Sequence, residues 1–476
     1  MDIESIRKIY DKLAPERQKW RSRNRLYHDT VFQICKENMP PEASVLHIGS
    51  GTGALLHRLR PKRGLGFDIS PVAVKIAKEN YPELEFRDGS EEDLSKINEK
   101  FDYVIISVSH LFDIWAIFLH IHKVLKPDGR LLVLHINYVW QPILELASKL
   151  HLVLKQPVQN YLPYEDIVTQ LYLTDYKIIK HDATLIFPKN LKPFSAFLNT
   201  KAEKWPLLRQ FRMIGYIIAV PESKPKPLRD MSCSVIVPCR NEVGNIENLV
   251  RRLPALSLNT EIIFIDGKST DGTVEKIKEM IEKYKGIKQI ILLHQKVCDG
   301  KASAVWQGFE AAQNEIFFIL DSDLTVPPED LPKFYRAIVQ GKAAFVNGTR
   351  LVYPLEKEAM RFLNFLANKM FGLIFTWLLE QRIKDTLCGT KVLTKKNYER
   401  IKALSSYFGD FDPFGDFLLL FGASYLGLKI IEVPIRYQAR TYGEIKIKRF
   451  KHGFLLLKMT IIAFVKLKTR KWFRKK

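Results

Sequence analysis

Seven residues near the middle of the chain, Pro221-Glu222-Ser223-Lys224-Pro225-Lys226-Pro227, carry three prolines alternating with polar groups. Proline lacks a backbone N–H and holds one φ, so neither a helix nor a central strand continues through such a stretch. It predicts a semi-rigid extended linker. On each side of it the apolar pattern starts afresh with a short run followed by a polar turn, Ser44–Ile48 in the first half and Ser234–Pro238 in the second. The chain therefore predicts an α/β protein of two tandem domains, residues 1–220 and 231–442, joined by a linker at 221–230 and followed by a tail at 443–476. No internal repeat relates the halves. A length of 476 residues agrees, at about 100–200 residues per domain.

In the first half, Ser44-Val45-Leu46-His47-Ile48 reads as a buried parallel strand. It runs into Gly49-Ser50-Gly51-Thr52-Gly53 and then the helical pattern Ala54–Leu59. Glycines at such a turn let backbone N–H groups approach a ligand with no Cβ in the way. The next strand, Gly64–Asp68, ends in a carboxylate placed to accept hydrogen bonds from ribose hydroxyls. This Rossmann-like unit has the spacing G-x-G-x-G, with Ala54 where a dinucleotide fingerprint wants its third glycine.

That form, with Asp68, Asp88 after Leu84–Arg87, the run Phe101–Ile106 and the turn Leu125–Val133, resembles the class I S-adenosylmethionine-dependent methyltransferases. The resemblance covers residues 25–220. It implies the methionine moiety at Gly49, Gly51 and Gly53, the ribose at Asp68, the adenine near Asp88, and an antiparallel edge hairpin from Tyr176–Ile186 and Met213–Val220. One departure stands out. Family members usually carry an acid where this chain has His47, and a neutral imidazole supplies no negative charge to the cofactor's ammonium. Two readings follow, an active methyltransferase or a non-catalytic binding or docking module. No motif identifies the methyl acceptor.

The second half carries more chemistry. Val235–Pro238 leads into Cys239-Arg240-Asn241-Glu242. The strand Glu261–Asp266 stops at the polar turn Gly267–Gly272, Lys301 opens a helical pattern, and Ile316–Leu320 delivers Asp321-Ser322-Asp323. Two carboxylates at i and i+2, leaving the end of an apolar strand, make a platform for a hard divalent cation. Such a cation neutralises charge that builds on a departing nucleotide. The ordered set strongly resembles the family 2 glycosyltransferases of the GT-A fold. The resemblance implies a nucleotide sugar (UDP- or GDP-linked) as donor and Mg²⁺ or Mn²⁺ at Asp321 and Asp323. Pro238, Asn241 and Glu242 match the opening P-x-x-N-E, Asp266 through Gly272, with Asp271, the base-recognition segment, and Lys301 would lie near the diphosphate.

Asp321–Leu331 is further similar to enzymes that load a hexose onto polyprenyl phosphate. Gly348-Thr349-Arg350 and Arg361 fall where that subgroup places arginines on the acceptor phosphate, a job suited to a planar guanidinium fork. Thr325 stands where the mannose enzymes commonly have glutamine. Asp385–Val392 and Phe408–Phe417 look like a set of prokaryotic proteins that fuse a methyltransferase to this transferase. Among them, Asp410, Asp412 and Asp416 read either as general-base candidates for a hydroxyl acceptor, on a saccharide or protein, or as turn caps. A phosphate acceptor needs no base. No enzyme nucleophile is evident, so the chemistry expected is direct displacement with inversion.

Lys plus Arg number 74 against 52 acids, a net charge of +22. From Arg436 to Lys476 there are 14 bases and one acid. The bases are interleaved with Phe454, Leu455, Leu456, Leu457, Ile461, Phe464 and Trp472. A basic amphipathic helix with large aliphatics suits an anionic membrane surface, whereas nucleic acid asks for the charge without the aliphatics. A helix packed on its own domain is the alternative. Residues 1–20 lack the apolar core of a secretory signal, and no run of about 20 apolar residues is free of charge. The five cysteines follow no metal or disulfide spacing. The expectation is a cytoplasmic enzyme bound peripherally to the inner face of the membrane.

Overall fold

The computed structural model describes every residue except 1–2, 111–112, 155–160, 192, 201–203, 223–228, 298–299, 351–361, 410–414, 416, 441, 444–448 and 469–476. Two compact units result, Met1–Pro225 and Lys226–Lys476.

The first unit is built on seven strands: β1 (Ser44–Ile48), β2 (Arg63–Asp68), β3 (Glu85–Asp88), β4 (Phe101–Ser107), β5 (Leu125–Ile136), β6 (Tyr176–Thr184) and β7 (Ile214–Pro221). Their order is β3-β2-β1-β4-β5-β7-β6. The first five are parallel, and β7 runs antiparallel to both β5 and β6. This is the expected parallel sheet with its antiparallel edge hairpin. Parallel strands need both faces covered, and Val45, Leu46, Val104, Ile105, Leu131, Leu132 and Val133 are all buried accordingly. β7 continues to Pro221, paired with Tyr176, so the first proline of the linker motif closes a strand. It can do so because a proline at a strand end forfeits no interior ladder bond.

The second unit holds β8 (Cys233–Cys239), β9 (Thr260–Asp266), β10 (Gln289–His294), β11 (Ile316–Ile319), β12 (Phe345–Thr349), β13 (Lys391–Thr394) and β14 (Ile430–Pro434). The order is β10-β9-β8-β11-β13-β12-β14. β8 to β11 are parallel, β13 is antiparallel to β11 and β12, and β14 is parallel to β12. Ile236, Ile263, Phe309, Phe317, Phe375, Phe417 and Phe421 belong to one buried core.

Helix Arg449–Ala463 packs back on this unit, with Leu456, Met459 and Ala463 inside that core. The packed-helix alternative thus describes one face of the tail. The opposite face is exposed at Leu457, Ile461, Phe464 and Val465. Helix Phe362–Leu379, which sequence reading did not single out, exposes Met370, Leu373 and Trp377 at helical spacing. Trp377 stacks on Phe464 with ring centroids 6.0 Å apart, so the two exposed faces adjoin. Among the described residues no helix is long and apolar enough to cross a membrane.

Candidate active site

Parallel strands of the second unit stop at a common sheet edge, and each delivers polar residues there. Cys239 at the end of β8 is level with Asp266 at the end of β9, and Asp266 with His294 at the end of β10. β11 leads through Leu320 into Asp321-Ser322-Asp323, and the Ser322 hydroxyl donates to the Pro238 carbonyl at 3.1 Å. Asn241, Lys268 and Leu324 occupy the left-handed region at φ 56°, 60° and 56°. Non-glycine residues stay there only when the surroundings hold them.

For Asn241 the restraint is visible. Its N–H donates to the Ser269 hydroxyl and its Oδ1 accepts from the Thr270 N–H, both at 2.9 Å. Buried Asp266 accepts from the Ser269 N–H at 3.2 Å. The N–H of buried Glu242 donates to Thr273 Oγ1 at 2.9 Å, and its carboxylate accepts from Asn245 at 2.7 Å. Asp271 accepts from the N–H groups of Val243 and Thr273. Burial would raise the Asp271 carboxyl, but the Thr273 hydroxyl and these N–H groups hold it below the usual range. The opening motif and the Asp266–Gly272 turn are therefore one laced unit.

Each carboxylate of the Asp-x-Asp pair faces a cation. Lys301, first residue of helix Lys301–Ala311, places Nζ 2.6 Å from Asp321 Oδ1. Burial would raise the Asp321 carboxyl, but the Lys301 ammonium, with Lys391 and Arg350 beyond it, holds it down. Asp323 takes an Arg440 Nη2 at 2.5 Å and the Thr325 hydroxyl at 2.7 Å. Thr325, the departure from glutamine, thus caps the carboxylate. Arg440 also stands 3.7 Å from Glu242, joining the opening motif to Asp323. In the sequence Arg440 is one of fourteen bases between Arg436 and Lys476, and only the return of the chain after β14 sets it apart. Gly389 lies against the first pair, since a Cβ there would be 2.6 Å from Lys301 Nζ and 2.8 Å from Asp321 Cγ.

Arg350 is committed elsewhere. Nε and Nη2 make a fork-to-fork pair with Asp385 at 2.6 and 2.7 Å, its N–H donates to the same carboxylate at 3.0 Å, and Tyr437 lies under the guanidinium. Arg361, Asp410, Asp412 and Asp416 lie outside the described residues. Among the described residues no group of three or more His, Cys, Asp or Glu is placed to hold a metal ion by itself. Two carboxylates still suit Mg²⁺ or Mn²⁺ when phosphate oxygens and water complete the shell.

In the first unit Gly49, Gly51 and Gly53 all have left-handed φ, at 75°, 54° and 82°. Asp68 accepts from the Gly51 N–H at 2.7 Å and the Ser70 N–H at 3.0 Å, pinning the turn to the end of β2. Asp88, paired with Asp68 in register, is exposed at the end of β3. Helices Ile3–Leu13 and Arg17–Arg23 bring Tyr10 and Arg17 to this turn, with Arg17 over the Tyr10 ring at 5.5 Å. Arg17 Nη1 is 2.7 Å from where a Cβ of Gly51 would stand. Buried His47 is pushed down to about 4 by desolvation, with Arg21 adding to it, so it is neutral near pH 7. Asp68 fits the ribose of S-adenosylmethionine and the glycine turn its amino-acid end, where the side chains close by, Arg17 and His47, are bases.

Residues 234–400 match the family model for glycosyl transferase family 2, and residues 41–180 match a methyltransferase domain. The chain is a fusion of these two domains. The dolichol-phosphate mannosyltransferase of Pyrococcus furiosus is 35% identical over 225 residues, covering 46% of this chain and 60% of that one. The undecaprenyl-phosphate 4-deoxy-4-formamido-L-arabinose transferase of Aeromonas hydrophila is 36% identical over 113 residues, 23% of this chain and 34% of that one. The chain thus spans less than two thirds of the length of either curated relative. A methyltransferase structure from Thermotoga maritima, described as SAM-dependent, aligns over 46% of this chain and 99% of its own. That alignment has 16% identity and a TM-score of 0.37.

Proposed function

We propose that the fusion is a membrane-associated inverting glycosyltransferase that moves a hexose from a nucleotide sugar to a polyprenyl phosphate. On this reading its methyltransferase domain uses S-adenosylmethionine in the same pathway. The observation that carries it is the edge of the second sheet, where Asp266, Asp321 and Asp323 converge with Lys301 and Arg440 beside the carboxylates. That is a site for a sugar nucleotide. Asp266 and the laced turn face the nucleoside, and the two cations stand where diphosphate charge must be met. Asp321 and Asp323 would hold the Mg²⁺ or Mn²⁺, which supplies further neutralisation of the leaving diphosphate.

An oxygen of the acceptor phosphate forms the new bond to the anomeric carbon as the bond to the diphosphate oxygen breaks. The electron pair leaves with the nucleoside diphosphate, stabilised by Lys301 and Arg440. The acceptor is already an anion, so no base is required. Support for a lipid phosphate comes from the two relatives, named for dolichol and undecaprenyl phosphate. The adjoining exposed faces of Phe362–Leu379 and Arg449–Ala463, with Lys458, Lys466 and Lys468 beside them, support an anionic membrane surface as partner. The cytoplasmic face of the membrane is the corresponding location.

The test is release of nucleoside diphosphate by the full chain with Mg²⁺ or Mn²⁺, with and without a polyprenyl phosphate, beside Asp323→Ala. Lipid-dependent release that the variant loses is expected. Release that ignores the lipid but responds to a saccharide or protein hydroxyl would overturn the acceptor assignment.

A further inference from the structure

The glycine turn of the methyltransferase domain is overhung by charge of an unexpected sign. Arg17 and Arg21 stand one turn apart on the same helix, and neither is paired with a carboxylate among the described residues. Burial pushes the Arg21 guanidinium down, and Arg17 adds to the effect. Three buried polar atoms around the turn lack a hydrogen-bond partner among the described residues: Arg17 Nε, His47 Nδ1 and Ser50 Oγ. His47 and Ser50 are both more than nine-tenths buried. Each orphan of this kind costs free energy unless a bound group satisfies it. Two guanidiniums beside them, with no carboxylate partner among the described residues, specify that a group bound here is an anion.

The acids nearby do not alter this balance. Asp68 already accepts from Gly51 and Ser70, and Asp11 accepts from the Ser70 hydroxyl at 2.5 Å and the Val72 N–H at 3.3 Å. Asp29 is taken by Arg58 at 2.8 Å and Arg25 at 3.3 Å. His28, also facing Arg21, is pushed down to about 4 by burial and is uncharged near pH 7. Within a nucleoside cofactor whose amino-acid end lies at the glycine turn, only the carboxylate is an anion.

We propose that this domain grips the amino-acid end of its cofactor by the carboxylate, through Arg17 with Arg21 in support, and places no charged demand on the ammonium. The inference rests on the reading of the first unit as an S-adenosylmethionine site. Arg17 is the specificity-determining residue, and its guanidinium, already against Gly51, presents a fork that matches a carboxylate. His47, neutral, contributes at most one acceptor to the ammonium where a carboxylate would contribute charge.

Calorimetric titration of the full chain separates the two ends of the ligand. The probes are S-adenosylhomocysteine, its analogue lacking the α-amino group, and 5′-methylthioadenosine, which lacks the whole amino-acid end. The deaminated analogue is expected within about threefold of S-adenosylhomocysteine, and methylthioadenosine weaker by about tenfold or more. Arg17→Ala should weaken S-adenosylhomocysteine by a similar factor and leave methylthioadenosine unchanged. Arg17→Lys, which keeps charge without the fork, should fall between and serves as the folded control. Loss of tenfold on removing the amino group would overturn the proposal, as would an Arg17→Ala effect equal for both ligands. So would absence of S-adenosylhomocysteine binding by a preparation that still releases nucleoside diphosphate, and that result would leave the glycosyltransferase reading intact.

Discussion

Gly389→Ala separates packing from backbone strain at the glycosyltransferase site. Gly389 does not have a left-handed φ, so alanine is compatible with its backbone, but the added methyl has no room. Its Cβ would lie 2.6 Å from Lys301 Nζ and 2.8 Å from Asp321 Cγ, where ordinary contact begins at 3.4 Å. The Asp321–Lys301 pair must then withdraw by about 1 Å, a displacement that in a preorganised site costs on the order of a hundredfold in rate. That factor corresponds to about 2.7 kcal/mol of transition-state stabilisation. The assay is kcat/KM for nucleoside diphosphate release together with the melting temperature of the full chain. The expected result is a loss near a hundredfold with little thermal change. Gly286→Ala supplies the contrast, because Gly286 has φ 76° with nothing within 4 Å of a Cβ. It should cost about 1 kcal/mol of stability and leave the rate untouched. A Gly389→Ala enzyme within threefold of wild type would refute the view that Lys301 and Asp321 act as a positioned pair.

Other outcomes follow from the same contacts. Asp385→Asn removes the charge from the fork that holds Arg350, leaving a buried guanidinium without its counter-ion, and should destabilise by about 3 kcal/mol in a urea titration. Arg440→Ala should lower kcat/KM by at least about tenfold while leaving the melting temperature within a few degrees. Its signature is a response to Mn²⁺ that saturates at lower concentration, since Asp323 would lose a competing cation and be capped only by Thr325. His28, His47 and His135 are each pushed down to about 4, burial being the largest cause in all three. They bind protons only when unfolded between the ordinary histidine value and about 4, so stability present above pH 6.5 is lost as pH falls through that window. The loss is at most about 1.4 kcal/mol per pH unit for each. Melts of the full chain from pH 7 to 5 should show it, and His47→Gln should reduce the slope of the first-unit transition.

The second site was largely legible because its residues come in order along the chain and each ends an apolar run. Asn241, Asp266, Asp271, Lys301, Asp321 and Asp323 all gather at one edge of the sheet. A parallel strand puts the residue after its last apolar position at that edge, and four strands in register repeat the rule. Arg440 and Gly389 were not legible. Arg440 is one base among many and Gly389 carries no role of its own within the Asp385–Val392 run, and each matters only through a side chain from a distant segment. Arg350 was legible as an arginine near the site but not as the partner of Asp385, which comes from 35 residues further along the chain. The tail was legible as amphipathic and basic, but not as one half of a surface completed by Met370, Leu373 and Trp377.

The glycine turn of the first half shows the same division. Its glycines, the strand before it and the carboxylate at Asp68 are local and follow from composition and spacing. The charge above the turn is not local, because Arg17 and Arg21 come from a helix about thirty residues upstream that packing alone brings across it. Two α/β units and the residues at their strand ends follow from the chain's local pattern, since alternation, apolar runs and glycine or proline positions act over a few residues. Tertiary structure decided which cation meets which carboxylate and what sign of charge a ligand encounters. Coulomb interactions depend on distance through space, and only the fold sets that distance.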